Sequence, residues 1–135
     1  MNFQTISKIV CALLSIYFVF SGINAALNID AKLDRIGLAA TGTDGKVAFI
    51  LIYSSLMVGI GAAMSLLAVV LKSPGPSLIL ASVILLCFIV FRIVGSFITE
   101  SMTQTQVEYI LIELVELSIV LFLLHKTGSF KQRVA

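Results

Sequence analysis

Long apolar runs alternate with short polar interruptions along this chain, and the runs are too long for a soluble core. No charged residue occurs from Ile9 to Ile29, between Lys8 and Asp30, or from Val47 to Leu71, between Lys46 and Lys72. Ser73-Pro74-Gly75-Pro76 follows as a tight turn, because proline pre-sets turn geometry and suits the first turn of a helix. A third run covers about Ser77 to Thr99, interrupted only by Arg92. A backbone in lipid must satisfy its own hydrogen bonds, and about 20 apolar residues span a bilayer as helix. The pattern predicts helices over about 8–28, 47–71, 77–99 and 106–124 in one domain covering residues 1–135.

The fourth segment needs an energetic argument, since Glu113 and Glu116 lie inside it. Its 13 Leu, Ile, Val and Phe residues contribute about −0.3 to −0.6 kcal/mol each, while each central acidic residue costs about +2.5 to +3.5. The two nearly cancel, so insertion depends on a partner for the glutamates or on their protonation. A surface-lying amphipathic helix is the alternative, and Leu117 to Leu124, apolar all round apart from Ser118, argues against it. Composition agrees with a membrane protein: 135 residues, 59% hydrophobic, 12% charged, mean hydropathy +1.12. The expected fold is therefore all-α, a four-transmembrane-helix bundle running antiparallel, up and down.

The charges outside the spans orient it. One side carries Lys8, Lys72, Lys126, Lys131 and Arg133 with no acidic residue, and the other mixes Lys32, Arg35 and Lys46 with Asp30, Asp34, Asp44 and Glu100. The positive-inside rule then puts both termini in the cytoplasm, with outward loops at Asn28–Lys46 and around Glu100–Thr105. The net charge of +2 gives no reason to invoke nucleic acid. The first helix has some features of a signal peptide, but its apolar run exceeds a signal core and its polar face matches the other helices, which favours retention. Cys11 and Cys87 lack a redox spacing and read as small buried residues. With His125 the only histidine, no transition-metal site and no cofactor motif is expected.

Polar residues inside the spans converge. Arg92 lies seven residues before the end of the third helix and Glu113 seven after the start of the fourth, so both sit at about 10 Å depth. Tyr109, Glu113 and Glu116 share one stripe, as do Arg92, Gly95, Ser96 and Thr99, and as do Tyr17, Ser21, Asn24 and Asn28. Tyr53, Ser54 and Ser55 lie in the outer half of the second helix. The inner half is almost purely apolar, which implies a polar cavity opening outward above an apolar plug. One arginine does not compensate two carboxylates a turn apart, so the pair is expected to share a proton and titrate as a unit.

Helix two also carries Ser55, Gly59 and Ala63, with Gly61 and Ser65 on a second register. Small residues at this spacing allow close helix approach, either inside the bundle or in a homodimer or membrane complex.

Four segments, GINAALNIDAKLDRIGL at Gly22–Leu38, YSSLMVGIG at Tyr53–Gly61, FRIVG at Phe91–Gly95 and the acidic VEYILIELVE on helix four, resemble a bacterial four-helix integral membrane family of unknown function, distantly DoxX-like. The family often has a proline where Ile29-Asp30 stands here. The resemblance implies a four-helix bundle in the bacterial inner membrane and supplies no substrate, cofactor or catalytic residue.

The expected site is a charged outward pocket of Arg92, Glu113 and Glu116, completed by Tyr109, Tyr53, Ser96 and Asn24, binding a lipid or other amphipathic small molecule with its tail among Phe88 and Phe91. Two other readings stay open. The Arg92–Glu clamp is structural, in an accessory subunit of a membrane complex. Or the Glu113/Glu116 pair moves protons in a carrier or enzyme, although these residues identify no reaction.

Overall fold

The computed structural model describes residues 2–127 and is all-helical over them. Helix α1 spans Phe3–Leu27, α2 Ile29–Ile36 and α3 Gly42–Phe49; a π-helical turn at Ile50–Ser54 joins α3 to α4, Ser55–Val70; α5 spans Gly75–Ile98 and α6 Gln104–Lys126. Three of the resulting rods, Phe3–Leu27, Gly42–Val70 and Gly75–Ile98, are long and apolar enough to cross a membrane. At 23 residues, or about 34 Å at 1.5 Å per residue, α6 is long enough to span as well, but Glu108, Glu113 and Glu116 set it apart in composition. Lys131 and Arg133, which contribute to the orientation expected from charge, lie outside the described residues.

The surface is apolar where that of a soluble protein is polar. Phe97 (79% exposed), Leu27 (78%) and Ile98 (77%) point outward, where water would select charge. Buried positions include Ser7, Ser15, Ser54, Ser77 and Glu113. Such a surface requires an apolar surround, and the chain is a membrane protein on this ground as well as on the length of its helices.

Helix α1 packs chiefly on α4 and α5 on α6, and α4 against α5 links the two pairs. The α1–α4 contact is built by a reciprocal pair of glycines. A Cβ on Gly22 would meet the Ser54 carbonyl oxygen at 2.6 Å, and one on Gly61 would meet the Ser15 carbonyl oxygen at 2.6 Å. Each glycine thus lets a backbone carbonyl of the other helix approach at a distance that any larger residue forbids. Gly61, not Gly59, is the packing register: nothing lies within 4 Å of a Cβ built on Gly59. Of the two placements open to the Ser55/Gly59/Ala63 stripe, the bundle interior is not where Gly59 lies, since its face is open.

Cross-helix bonds from side chain to backbone fix the end of the bundle remote from α2. Ser77 Oγ donates to the Met64 carbonyl at 2.6 Å, and the Cys11 thiol to the Pro74 carbonyl at 3.7 Å. Met64, Leu78, Leu85, Val120 and Leu124 are almost wholly buried around them. Helix α1 begins at Phe3, five residues before its expected start at 8. Asn2 Oδ1 accepts from the Gln4 amide, and Phe3 packs edge-on to Phe122 with ring centroids 6.1 Å apart. Partners at the end of α6 therefore support a turn that hydropathy alone does not predict.

The largest departure is in residues 28–46, expected as an outward loop. Asn28 breaks α1, its side-chain Nδ2 donating to Asn24 Oδ1 at 2.9 Å, and α2 follows. Ile29, Leu33 and Ile36 form an apolar stripe, Asp30 opens the helix and Arg35 closes it in favour of the helix dipole. Gly37, at φ +71°, ends it in a Schellman motif: its amide donates to the Asp34 carbonyl and that of Leu38 to the Leu33 carbonyl. Leu33 is buried, and an exposed Lys46–Asp30 ion pair of 2.6 Å ties α2 to α3.

Candidate functional site

The second pair of helices sets the geometry. Arg92 on α5 and Glu113 on α6 lie at equal depth and meet: Arg92 Nε donates to Glu113 Oε1 at 2.9 Å and Oε2 at 3.1 Å. Arg92 Nη1 donates to Gln106 Oε1 at 2.8 Å. The guanidinium carbon lies 4.8 Å from the centroid of the Tyr109 ring, within cation–π range. Gln106, Tyr109 and Glu113 follow one another at three and four residues on α6, so one face of that helix grips the arginine from three sides. The Glu113 side chain is 9% exposed, and Arg92 supplies the hydrogen bonds to both of its carboxylate oxygens.

Glu116, one turn further along α6, is different. It is half-buried and makes no hydrogen bond or ion pair among the described residues. It lines a cavity of about 500 Å³ bounded by α1, α4, α5 and α6 and roofed by α2. Tyr17 of α1, Tyr53 of the π-helical turn, Tyr109, Arg92 and Glu113 also line it, over a floor of Phe18, Met57, Leu85, Phe88 and Ile112. Tyr53 faces the cavity from the π-helical segment, a local underwinding and widening of the helix often found at functional sites. Its ring stacks on Phe49 at 5.1 Å, and Lys32 Nζ of α2 lies 5.2 Å from its centroid.

Five of the seven residues expected at the site, Arg92, Glu113, Glu116, Tyr109 and Tyr53, line this one cavity. Ser96 lines a neighbouring cavity of about 780 Å³ on the other side of Arg92, and its hydroxyl donates to the Arg92 carbonyl at 2.9 Å. Asn24 lines neither cavity. It is exposed and accepts from the Asn28 side-chain amide; the stripe that carries Tyr17, itself 57% exposed, and Ser21 along the cavity wall has turned away by residue 24. The polar lining residues outside the expected set are Tyr17, Ser21, Lys32, Arg35 and Gln106. Tyr17 and Gln106 share helical stripes with expected members and were open to detection by spacing. Lys32 and Arg35 arrive only because residues 29–36 fold as a helix across the mouth.

Chemically, the site offers a neutralised Arg–Glu pair, an uncompensated carboxylate, three phenols and an apolar floor. The arrangement suits holding an amphipathic molecule or a proton, and it contains no nucleophile activated by a base. No family model matches this chain, nor does any curated protein or solved structure, and none bears on its resemblance to DoxX-like proteins.

Proposed function

We propose that this chain is a four-crossing, up-and-down antiparallel membrane bundle of the bacterial inner membrane, with both termini cytoplasmic, whose outward cavity binds a lipid or other amphipathic small molecule. One observation carries the reading: the 500 Å³ cavity passes from charged and phenolic walls to a floor of Phe18, Met57, Leu85, Phe88 and Ile112. A volume of this size is in the range of small-molecule sites. In this reading α6 crosses as well, its insertion cost lowered because Glu113 meets Arg92.

Native mass spectrometry of the gently purified full chain tests it. The wild type is expected to carry a bound small molecule or lipid that Ser21→Trp, which fills the cavity, loses while circular dichroism retains the helices. If the wild type carries no molecule and Arg92→Ala unfolds, the structural clamp is favoured instead.

A second reading has its own observation in its favour. The Ser55/Gly59/Ala63 face lies open beside Leu51, Leu56 and Ile60, as it would in an accessory subunit or a homodimer. Mild-detergent sizing would then reveal a larger complex that Gly59→Leu breaks.

A further inference from the structure

Resting on the cavity reading above, we propose that the occupant is an amphipathic organic cation, an alkylammonium whose head is held by Glu116 and the Tyr17 ring and whose tail lies on Phe18, Met57 and Leu85. The argument begins with what is already spent. Arg92 donates to Glu113 and to Gln106 and covers the Tyr109 ring. It has little left to offer an anionic head, and Glu113 is compensated. The carboxylate remaining is Glu116, with no bonding partner among the described residues. An ionisable group in a membrane helix is expensive to keep unpaired, and a ligand cation supplies the missing partner.

The aromatic walls point the same way. Two of the three tyrosine faces lining the cavity are each covered by a cation of the protein itself, Tyr53 by Lys32 at 5.2 Å and Tyr109 by Arg92 at 4.8 Å. Tyr17 is the third; no cation of the described residues covers it, and it lines the same cavity as Glu116. Carboxylate plus phenol faces in a partly dry cavity is the chemistry that recognises ammonium groups. Lys32 and Arg35 also line the cavity, from the α2 roof at its mouth. Arg35 is exposed to solvent, so water screens it, while Glu116 stands among the helices. Below it the floor is apolar, which calls for a tail on the same molecule.

The test is calorimetric titration of the full chain in the neutral detergent dodecyl maltoside with hexyltrimethylammonium, hexanoate and 1-hexanol. Hexyltrimethylammonium is expected to bind one to one, and Glu116→Gln to weaken it about tenfold, the loss expected for one partly dry charge pair. Tyr17→Leu weakens it as well, while Lys32→Gln tightens it by freeing the Tyr53 face. Equal binding of hexanol, or unchanged binding in folded Glu116→Gln, overturns the proposal. If hexanoate or hexanol binds saturably and Ser21→Trp blocks it by filling the cavity, the cavity reading survives and the cationic one fails. If no probe binds and native spectra carry no bound molecule, both fail.

Discussion

At the scale of single residues, the molecule spends its few buried polar groups unevenly. Ser77 and Arg92 bridge helices through hydrogen bonds, whereas the hydroxyls of Ser7, Ser15 and Ser54 are buried without a hydrogen-bond partner among the described residues. The Arg92–Glu113 pair illustrates why a buried ion pair is a constraint more than a source of stability. Arg92→Ala strands a carboxylate that is 9% exposed and is expected to lower stability by about 3–5 kcal/mol, whereas Arg92→Met with Glu113→Met is expected to be near neutral. Thermal unfolding of the three proteins in detergent checks this, and equal losses in the single and double variants would refute it. At Gly61 the cost is steric. Gly61→Ala puts a methyl 2.6 Å from the Ser15 carbonyl and is expected to cost about 1–3 kcal/mol as overpacking, while Gly59→Ala, facing open space, is expected to cost nothing measurable. The pair of variants is compared by the same melt.

Among the elements, α2 matters most for the site, because it carries Lys32, Arg35 and Ile36 over the cavity mouth. It is eight residues long, too short to be stable alone. It is held by buried Leu33, by its Schellman closure and by the ion pair to Lys46, which is exposed and therefore weak. Gly37→Ala forces a side chain into the left-handed region and is expected to cost about 1 kcal/mol. Hydrogen exchange at the Gly37 and Leu38 amides, both bonded within that closure, should quicken roughly fivefold while α5 amides stay unchanged. Unaltered exchange would mean that Leu33 alone holds the helix.

At the level of the whole molecule, two tight interfaces meet at one end in a packed apolar core and leave space at the other, beneath α2. In the proposed topology that open end faces away from the cytoplasm. A membrane-impermeant maleimide applied to intact cells is expected to label Leu38→Cys and Thr105→Cys, and not Lys72→Cys, in a Cys11→Ala/Cys87→Ala background. Labelling of Lys72→Cys from outside, with Leu38→Cys and Thr105→Cys unlabelled, would invert the orientation, and labelling of Lys126→Cys together with Leu38→Cys and Thr105→Cys would mean that α6 does not cross.

Hydropathy and helical spacing determined much of this from the sequence. Three uncharged or nearly uncharged runs have no stable state in water and one regular state in lipid, so the three apolar helices were legible at once. The Arg92–Glu113 contact was legible too, because helical rise converts position into depth and a charge in such a setting needs its opposite. What the sequence left open was rotation about each helix axis and the fate of the polar linker. Gly59 and Gly61 have the same composition and nearly the same spacing to other small residues, and only the packed pair α1–α4 decides that Gly61 carries the contact. Asn24 shares a stripe with Tyr17 and leaves the site because the face has turned by then. Residues 29–36 form a helix because Leu33 finds a buried place against its neighbours, a stabilisation that exists only once the long helices have assembled.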